Sequence, residues 1–371
     1  MHLLQLSTSV PKYKYLTEEM MGLLPQELPD EVQQNILNLG VSTRYFVQPI
    51  DFSSKIMPAS NDVEPAVRVS ALTCKQALDD LGLQPANIDY LIATYDSSAF
   101  LCPGVSNLLL NEIGLNPTIK HVSVQGMACS AFARSLQLAE DHLARFPRSY
   151  VMISWSGANS YWFYNQVRGL KDVKGIHEIG ALEDDKLKSR ELRKWIALIE
   201  FFLFGDGSAC AIVSDQGEGP QIRDIVSITN MKNTDYLAGY AQFVPLFGPF
   251  RFEFYSHLDK ALPELGVEYT STILEKLLHG RNQSFKTQAK RWIVHTGSKR
   301  ILDYLATSHG ITYKKIKESY DVLANYGNLA GASLPFILDK IMREGGLGKD
   351  DYAIMLGYGW GFSATAGIIV F

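Results

Sequence analysis

The chain predicts an α/β fold made of two duplicated halves, and three observations in the sequence predict it. Short strands rich in β-branched residues alternate with helical stretches, as expected of helices packed on a mostly central sheet. The same alternation recurs in the second half at similar spacing. Each half also closes on a strand of small residues, GDGSACAIVSD at Gly205 to Asp215 and FSATAGIIVF at the C-terminus.

The elements follow in order. MHLLQLSTSV opens the chain with a short apolar run, but it lacks a basic leader and an apolar stretch of signal length, so it reads as a first strand. Pro65 to Leu81 has helical periodicity. IDYLIAT (Ile88 to Thr94), HVSVQG (His121 to Gly126) and SYVMISW (Ser149 to Trp155) read as buried strands. Ser130 to Phe146 reads as a helix, with Phe132, Leu136, Ala139 and Leu143 on one stripe. In the second half RWIVHTG matches IDYLIAT, and DYAIMLGY matches SYVMISW. YGNLAGASLPFILDKIM matches VQGMACSAFARSLQLAE as a glycine turn, small residues and a helix, which sets Asn328 against Cys129. The halves are expected to be residues 1–217 and 218–371. Two stretches stand outside this pattern. Val167 to Lys194 is dense in both charge signs and reads as a solvated helical insertion, a cap or an oligomer arm. Phe243 to Tyr255 is loaded with aromatics and reads either as a core hinge or as a tunnel wall.

Composition bounds the partners. The 371 residues carry a net charge of −4, with 46% apolar and 20% charged residues, so neither nucleic acid nor an anionic membrane is expected to bind. No apolar run approaches the ~20 residues that span a bilayer. Four well-separated cysteines argue against a disulfide framework and for a reducing, cytoplasmic setting.

Three segments carry the chemistry. Cys129 follows Gly126-Met127-Ala128 and opens the helix of Ser130 to Phe146. A helix N-terminus offers unpaired N–H groups and a positive dipole end, both of which favour a thiolate. The alternative, an inert buried cysteine, is the reading for Cys74, Cys102 and Cys210. His295 ends an apolar strand and precedes Gly297 and a helix beginning near Lys299, a usual place for active groups in α/β enzymes. Asn328 sits in Tyr326-Gly327-Asn328, ahead of Ala330, Gly331, Ala332 and Ser333. Together they suit decarboxylative Claisen condensation. Cys129 would hold the acyl group. His295 and Asn328 would donate to the extender carbonyl as enolate charge develops, and backbone N–H groups of Cys129 and of the Gly357–Gly361 loop would stabilise the oxyanion. The chemistry needs no metal or other cofactor, and metal-site, phosphate-loop and dinucleotide motifs are missing from the sequence.

These segments resemble a known family. GMACSAF, HTGSKRIL, NYGNLAGAS, LFGDGSACAIV and GYGWGFSATAGIIVF are similar in order and spacing to the conserved elements of thiolase-superfamily condensing enzymes. The branch they resemble contains β-ketoacyl-acyl-carrier-protein synthase III and the type III polyketide synthases. The resemblance implies a thiolase-like five-layer αβαβα fold, a homodimer, and acyl-coenzyme A or acyl-carrier-protein thioesters as substrates. It carries the nucleophile to Cys129 and the decarboxylation pair to His295 and Asn328. Gly359, Trp360 and Gly361 fall on the oxyanion-side closing loop. Phe204 matches a cavity-lining phenylalanine of the polyketide enzymes, and Arg300 matches a carrier-protein docking position. The chain departs from the pattern in three places. Trp360 stands where the relatives have proline or glycine, the tryptophan that stacks on coenzyme A has no counterpart in DEVQQNILNLGVSTRYF, and the Val167 to Lys194 insertion is unusually long. Three other functions stay open: acyl transfer to a hydroxyl or amine, a non-catalytic acyl-binding partner, and a 3-hydroxy-3-methylglutaryl-CoA synthase, for which only Asp96 could serve as the acid.

Overall fold

The computed structural model describes residues 1–52, 65–95, 103–245, 252–282 and 284–371. Asp96, Cys102 and the centre of the aromatic stretch lie outside them. The strands are β1 (His2–Ser9), β2 (Tyr13–Leu16), β3 (Thr43–Phe46), β4 (Tyr90–Tyr95), β5 (Lys120–Val124), β6 (Val151–Gly157) and β7 (Gly207–Ser214). After them come β8 (Gln221–Thr229), β9 (Gly239–Pro245), β10 (Phe252–Leu258), β11 (Arg291–Val294), β12 (Tyr352–Gly359) and β13 (Ser363–Val370). The helices that shape the core are α1 (Pro65–Leu81), α2 (Val105–Ile113), α3 (Ala131–Arg145), α4 (Asn159–Val167), α5 (Asp185–Leu203), α6 (Leu262–Leu278), α7 (Lys299–His309), α8 (Tyr313–Tyr326) and α9 (Ser333–Glu344).

Among the described residues, nine strands join in the order β11-β12-β13-β8-β1-β7-β6-β4-β5. They fall into two blocks linked only through the pairing of His2 with Gln221. In the first block β5, β4 and β6 run parallel, and β7 and then β1 add antiparallel. In the second, β11 and β12 run parallel, and β13 and then β8 add antiparallel. Position for position the second block repeats the order and sense of the first without a counterpart of β5. The helices repeat as well: α1 packs on β7, β1 and β6, and α6 packs on β13, β8 and β12.

The layers follow from strand alternation. On β6, Val151, Ile153 and Trp155 point to the same core as α3 and α9, while Met152 points to the core under α1 and α2. On β12, Ala353 and Met355 face that central core, and Ile354 and Leu356 face the outer helices of the second half. The stack is therefore helix, sheet, the α3 and α9 pair, sheet, helix: a mixed α/β, thiolase-like arrangement. Helix α3 buries the predicted stripe of Phe132, Leu136, Ala139 and Leu143. Its Phe132 ring packs 4.8 Å from Trp155, whose indole N–H donates to Ser135 Oγ at 2.7 Å. Arg134 reaches from the same helix across to the second half, donating to Ser227 Oγ and Thr229 Oγ1 on β8. The two halves thus share one central layer.

The charged insertion is helical only in part, over Ile176–Gly180 and from Asp185 onward, with residues 168–175 irregular, and its longer helix begins cleanly. Asp184 caps α5 by accepting the N–H groups of Lys186 and Leu187. The first turns of α5 are largely solvated, but the helix dives inward, and Ile196 to Leu203 are buried. The predicted aromatic stretch contributes the β9–β10 hairpin, which lies outside the large sheet and packs against α5.

Close backbone contact at Gly205 holds the two halves in register. A Cβ at Gly205 would sit 2.1 Å from the Tyr326 carbonyl oxygen. Gly205→Ala is expected to destabilise the fold by about 2–3 kcal/mol through overpacking, read as a lowered thermal midpoint with no change in side-chain chemistry.

Candidate active site

Cys129 lies in a single 3-10 turn, Ala128–Ser130, that runs straight into α3. The turn needs unusual backbone: Gly126 has φ +74° and Ala128 φ +43°. The second half builds the same device. Gly327 has φ +74°, Ala330 has φ +51°, and the turn Ala330–Ala332 runs into α9. Left-handed backbone at a non-glycine residue costs about 1–2 kcal/mol, so the strain is held identically in both halves. The turns meet face to face. A Cβ at Gly331 would lie 3.2 Å from Ala131 Cβ and 3.6 Å from the Ala128 carbonyl oxygen, so the two turns are in close contact there.

This geometry corrects the sequence match in one respect. Matching the strained Ala128 to the strained Ala330 sets Gly331, not Asn328, opposite Cys129, and leaves Asn328 three residues earlier. Asn328 sits earlier, in the turn itself. There its backbone is clamped to the segment before β7: its N–H donates to the Leu203 carbonyl at 2.9 Å, and its carbonyl accepts from Gly205 N–H at 3.1 Å. That pairing brings Phe204 alongside Asn328. The carboxamide oxygen of Asn328 accepts the Ala330 N–H at 2.9 Å. The hydrogen-bonding group that remains on the side chain is the NH2, a donor.

His295 follows β11 directly, is 1% exposed, and donates its backbone N–H to Leu356. Burial pushes its imidazole pKa down to about 3, so the ring is neutral at ordinary pH. Its Nδ1 is buried without a hydrogen-bond partner. The Tyr358 ring stands edge-on to it, with centroids 5.3 Å apart. Gly297 makes room for that ring, since a Cβ there would lie 2.3 Å from the Tyr358 hydroxyl. Burial, and after it the Cys129 sulfur, push the Tyr358 hydroxyl well above its ordinary range. Tyr358 thus neighbours both His295 and Cys129. On the other side, Thr296 Oγ1 donates to Ser333 Oγ at 2.9 Å, and that hydroxyl accepts Leu329 N–H and reaches Asn328 Oδ1 at 3.5 Å. The sequence reading named Cys129, His295 and Asn328 but gave no part to Tyr358, which neighbours the first two, or to Thr296 and Ser333, which lead to the third.

The remaining predicted residues divide. Gly359 lies directly against the Cys129 turn: a Cβ there would be 3.1 Å from both Cys129 N and Ser130 N. Gly361 has φ +112° and turns the hairpin from β12 into β13. The Trp360 ring lies over Gly239 at the start of β9. Phe204 is buried and packs 4.8 Å from Phe163, in the same apolar cluster as Cys129. Arg300 is exposed on the first turn of α7, away from the buried trio. Cys74 and Cys210 are fully buried, as the inert reading expects. No group of three or more His, Cys, Asp or Glu suited to a metal occurs among the described residues, and none of their helices is long and apolar enough to cross a membrane.

Two buried acids lie close behind. Asp206 accepts from Val47 N–H, Ser160 N–H and the Ser160 hydroxyl, yet burial outweighs these donors and pushes its pKa up to about 7. Burial pushes Glu200 up to about 8 from 4.5. Folded Glu200 therefore keeps a proton that the unfolded chain has lost between those values, so stability is full below 4.5 and falls as pH rises toward 8. His295, lowered from 6.5 to about 3, acts on the other flank, and stability falls as pH drops below 6.5. Glu200→Gln is expected to recover about 2 kcal/mol of the stability lost between about pH 6 and 9, measured by denaturant unfolding across that range.

Known proteins agree with this architecture. Residues 281–371 match the C-terminal family model of 3-oxoacyl-[acyl-carrier-protein] synthase III. The 1,3,6,8-tetrahydroxynaphthalene synthase of Streptomyces coelicolor is 27% identical over 371 residues, covering 96% of this chain and 89% of that protein. The 3,5-dihydroxyphenylacetyl-CoA synthase of Amycolatopsis balhimycina is 24% identical, covering 98% and 91%. Among solved structures, the tetrahydroxynaphthalene synthase, a bacterial type III polyketide synthase, superposes with a TM-score of 0.78 at 23% identity, covering 100% and 99% of the two chains. CsyB complexed with coenzyme A superposes with a TM-score of 0.81 at 16% identity, covering 100% and 99%. With the duplicated turns and their strained alanines in place, the chain has a thiolase-like fold and is similar to the type III polyketide synthases along its length and to 3-oxoacyl-[acyl-carrier-protein] synthase III in its C-terminal part.

Proposed function

We propose that the chain is an acyltransferase that condenses a Cys129-bound acyl group with a malonyl-type thioester, releasing carbon dioxide. The observation that carries this reading is the meeting of the two helix-opening turns, one carrying Cys129 and the other preceded by Asn328, with a neutral, buried His295 against Tyr358. The Cys129 sulfur attacks the thioester carbonyl and the carrier thiol leaves. The malonyl group then loses carbon dioxide, and negative charge moves onto its thioester oxygen. A buried neutral imidazole and a carboxamide NH2 suit that moment, because both donate hydrogen bonds without bringing a charge that would trap the enolate. An unsatisfied N–H is the costlier orphan, so the Nδ1 without a partner favours the tautomer with its proton on Nε2. The enolate carbon attacks the acyl-cysteine carbonyl, the sulfur leaves, and a 3-oxoacyl thioester results. Gly359, Trp360 and Gly361 bring backbone N–H groups to the tetrahedral oxyanion, supported by the contact of Gly359 with Cys129.

Coenzyme A is the favoured carrier, given the relatives named above, with an acyl-carrier protein as the alternative donor that Arg300 would meet at the surface. Polyketide rather than fatty acid biosynthesis suits the same relatives. Phe204 would wall the acyl space, and residues 1–217 and 218–371 would be the two duplicated units. The half-exposed strand β5 ends the sheet. An unpaired edge of this kind supports a homodimer in which a second copy covers it. The setting proposed is the cytoplasm. The test is to incubate the chain with an acyl-CoA and isotope-labelled malonyl-CoA. Labelled carbon dioxide and a 3-oxoacyl product are expected in equal amounts, and acyl transfer without carbon dioxide would overturn the reading.

A further inference from the structure

We propose that Asp206 is a positioning residue for the decarboxylation step, its carboxylate anchoring the segment that fixes the backbone of Asn328. This inference rests on the role given to Asn328 above and names the group that sets it in place. Residues 202–206 are gripped from two sides. On one side stands β3: Arg44 Nη2 donates to the Phe202 carbonyl at 2.6 Å, and Asp206 N–H donates to the Tyr45 carbonyl at 2.9 Å. On the other stands Asn328, whose N–H donates to the Leu203 carbonyl at 2.9 Å and whose carbonyl accepts from Gly205 N–H at 3.1 Å. The grips alternate residue by residue, so a shift of this segment carries Asn328 with it.

The Asp206 side chain is fully buried, and three donors converge on it. Ser160 N–H meets Oδ1 at 2.9 Å, and Val47 N–H meets Oδ2 at 2.8 Å with the Ser160 hydroxyl beside it. Val47 follows β3 and Ser160 lies in the first turn of α4, so one carboxylate joins three parts of the chain that are distant in sequence. Asn159, the residue before Ser160, adds its amide to the Gly205 carbonyl at 3.4 Å. A helix start suits an anion, yet burial still pushes this carboxyl toward its neutral form. An apolar side chain would fill the space without that cost. Two backbone N–H groups aimed at separate oxygens need two acceptors on one planar group, which a carboxylate supplies and a carboxamide does not. Position is what Asn328 requires. Its Oδ1 is already engaged by Ala330 N–H, so the direction of its NH2 follows from where its backbone is held.

The experiment separates the two half-reactions. Acylation of Cys129 is read by intact-protein mass spectrometry, and carbon dioxide release is read after mixing the acylated enzyme with malonyl-CoA. Asp206→Asn is expected to slow decarboxylation about tenfold to hundredfold, as a small misplacement of a donor does, while Cys129 is still acylated. The deciding comparison is made in the Asn328→Ala background. There the same substitution should slow decarboxylation by no more than about a further twofold, because a residue acting through Asn328 has nothing left to position. Ser160→Ala removes one donor and leaves both backbone N–H groups. It should give a smaller loss in the same step and none beside Asn328→Ala, and it carries the test if thermal unfolding shows that Asp206→Asn does not fold. A parallel fall of both half-reactions, or losses that multiply in the double variant, would make Asp206 a purely structural residue and overturn the inference, leaving the condensing reading intact. Decarboxylation at the wild-type rate in Asn328→Ala would instead overturn the role of Asn328, and this inference with it.

Discussion

Cys129→Ala is expected to abolish condensation, by at least about 10⁴-fold, while leaving the fold and part of the malonyl decarboxylation in place. The three effects separate because three different structures carry them. The sulfur alone forms the acyl bond, so no mass shift should appear when the variant meets an acyl-CoA. The turn around it is held by backbone geometry, with Ala128 at φ +43°, the Ser130 N–H on the Met127 carbonyl, and Gly359 against the Cys129 nitrogen. None of these needs the thiol, and loss of one small buried atom costs about 1 kcal/mol. The proposed decarboxylation pair stands on the other half, just after β11 and ahead of α9, so His295 and Asn328 keep their places. Intact-protein mass spectrometry and carbon dioxide release measured on one sample check the outcome. An acylated Cys129→Ala chain would place the nucleophile elsewhere.

Much of this site is legible in sequence because its signals are local. A glycine, small residues and an amphipathic helix within one window announce each turn, and the stripe of Phe132, Leu136, Ala139 and Leu143 shows which face is buried. Strand alternation likewise reveals the repeated order of elements. What sequence hides is contact over long separation. Tyr358 lies inside a glycine-rich run that reads only as a closing loop, and nothing local shows that its ring neighbours both His295 and Cys129. The hydroxyls of Thr296 and Ser333 look like ordinary strand-end and helix-start residues until the fold joins them. Glu200 reads as one more charge near a charged insertion, and only the inward course of α5 shows it to be buried. The match of Asn328 to Cys129 failed for a related reason. A pattern comparison pairs whole segments and not single positions, and only the strained backbone at Ala128 and Ala330 shows that Asn328 stands three residues before the position equivalent to Cys129.

His295→Ala and Asn328→Asp are expected to lower condensation by about 10²–10³-fold each, with acylation of Cys129 preserved. The aspartate is the sharper test. It keeps the oxygen that accepts the Ala330 N–H at 2.9 Å, so the turn and its clamp on Leu203 and Gly205 survive. It replaces the NH2 donor with an acceptor at a site 3% exposed, where the developing enolate oxygen would meet a lone pair or a negative charge. His295→Ala removes a neutral ring whose only demand on the fold is the space beside Tyr358. Because burial holds that ring's pKa at about 3, the wild-type rate of decarboxylation should show no inflection from imidazole protonation between about pH 5 and 8. An ionised imidazole would give one in that range. Single-turnover mixing of the pre-acylated enzyme with malonyl-CoA isolates the step, and its rate across pH gives the profile directly. Wild-type rates in Asn328→Asp would remove the amide from the mechanism, and a bell centred near the ordinary histidine value would show that His295 works as a titrating base instead of a neutral donor.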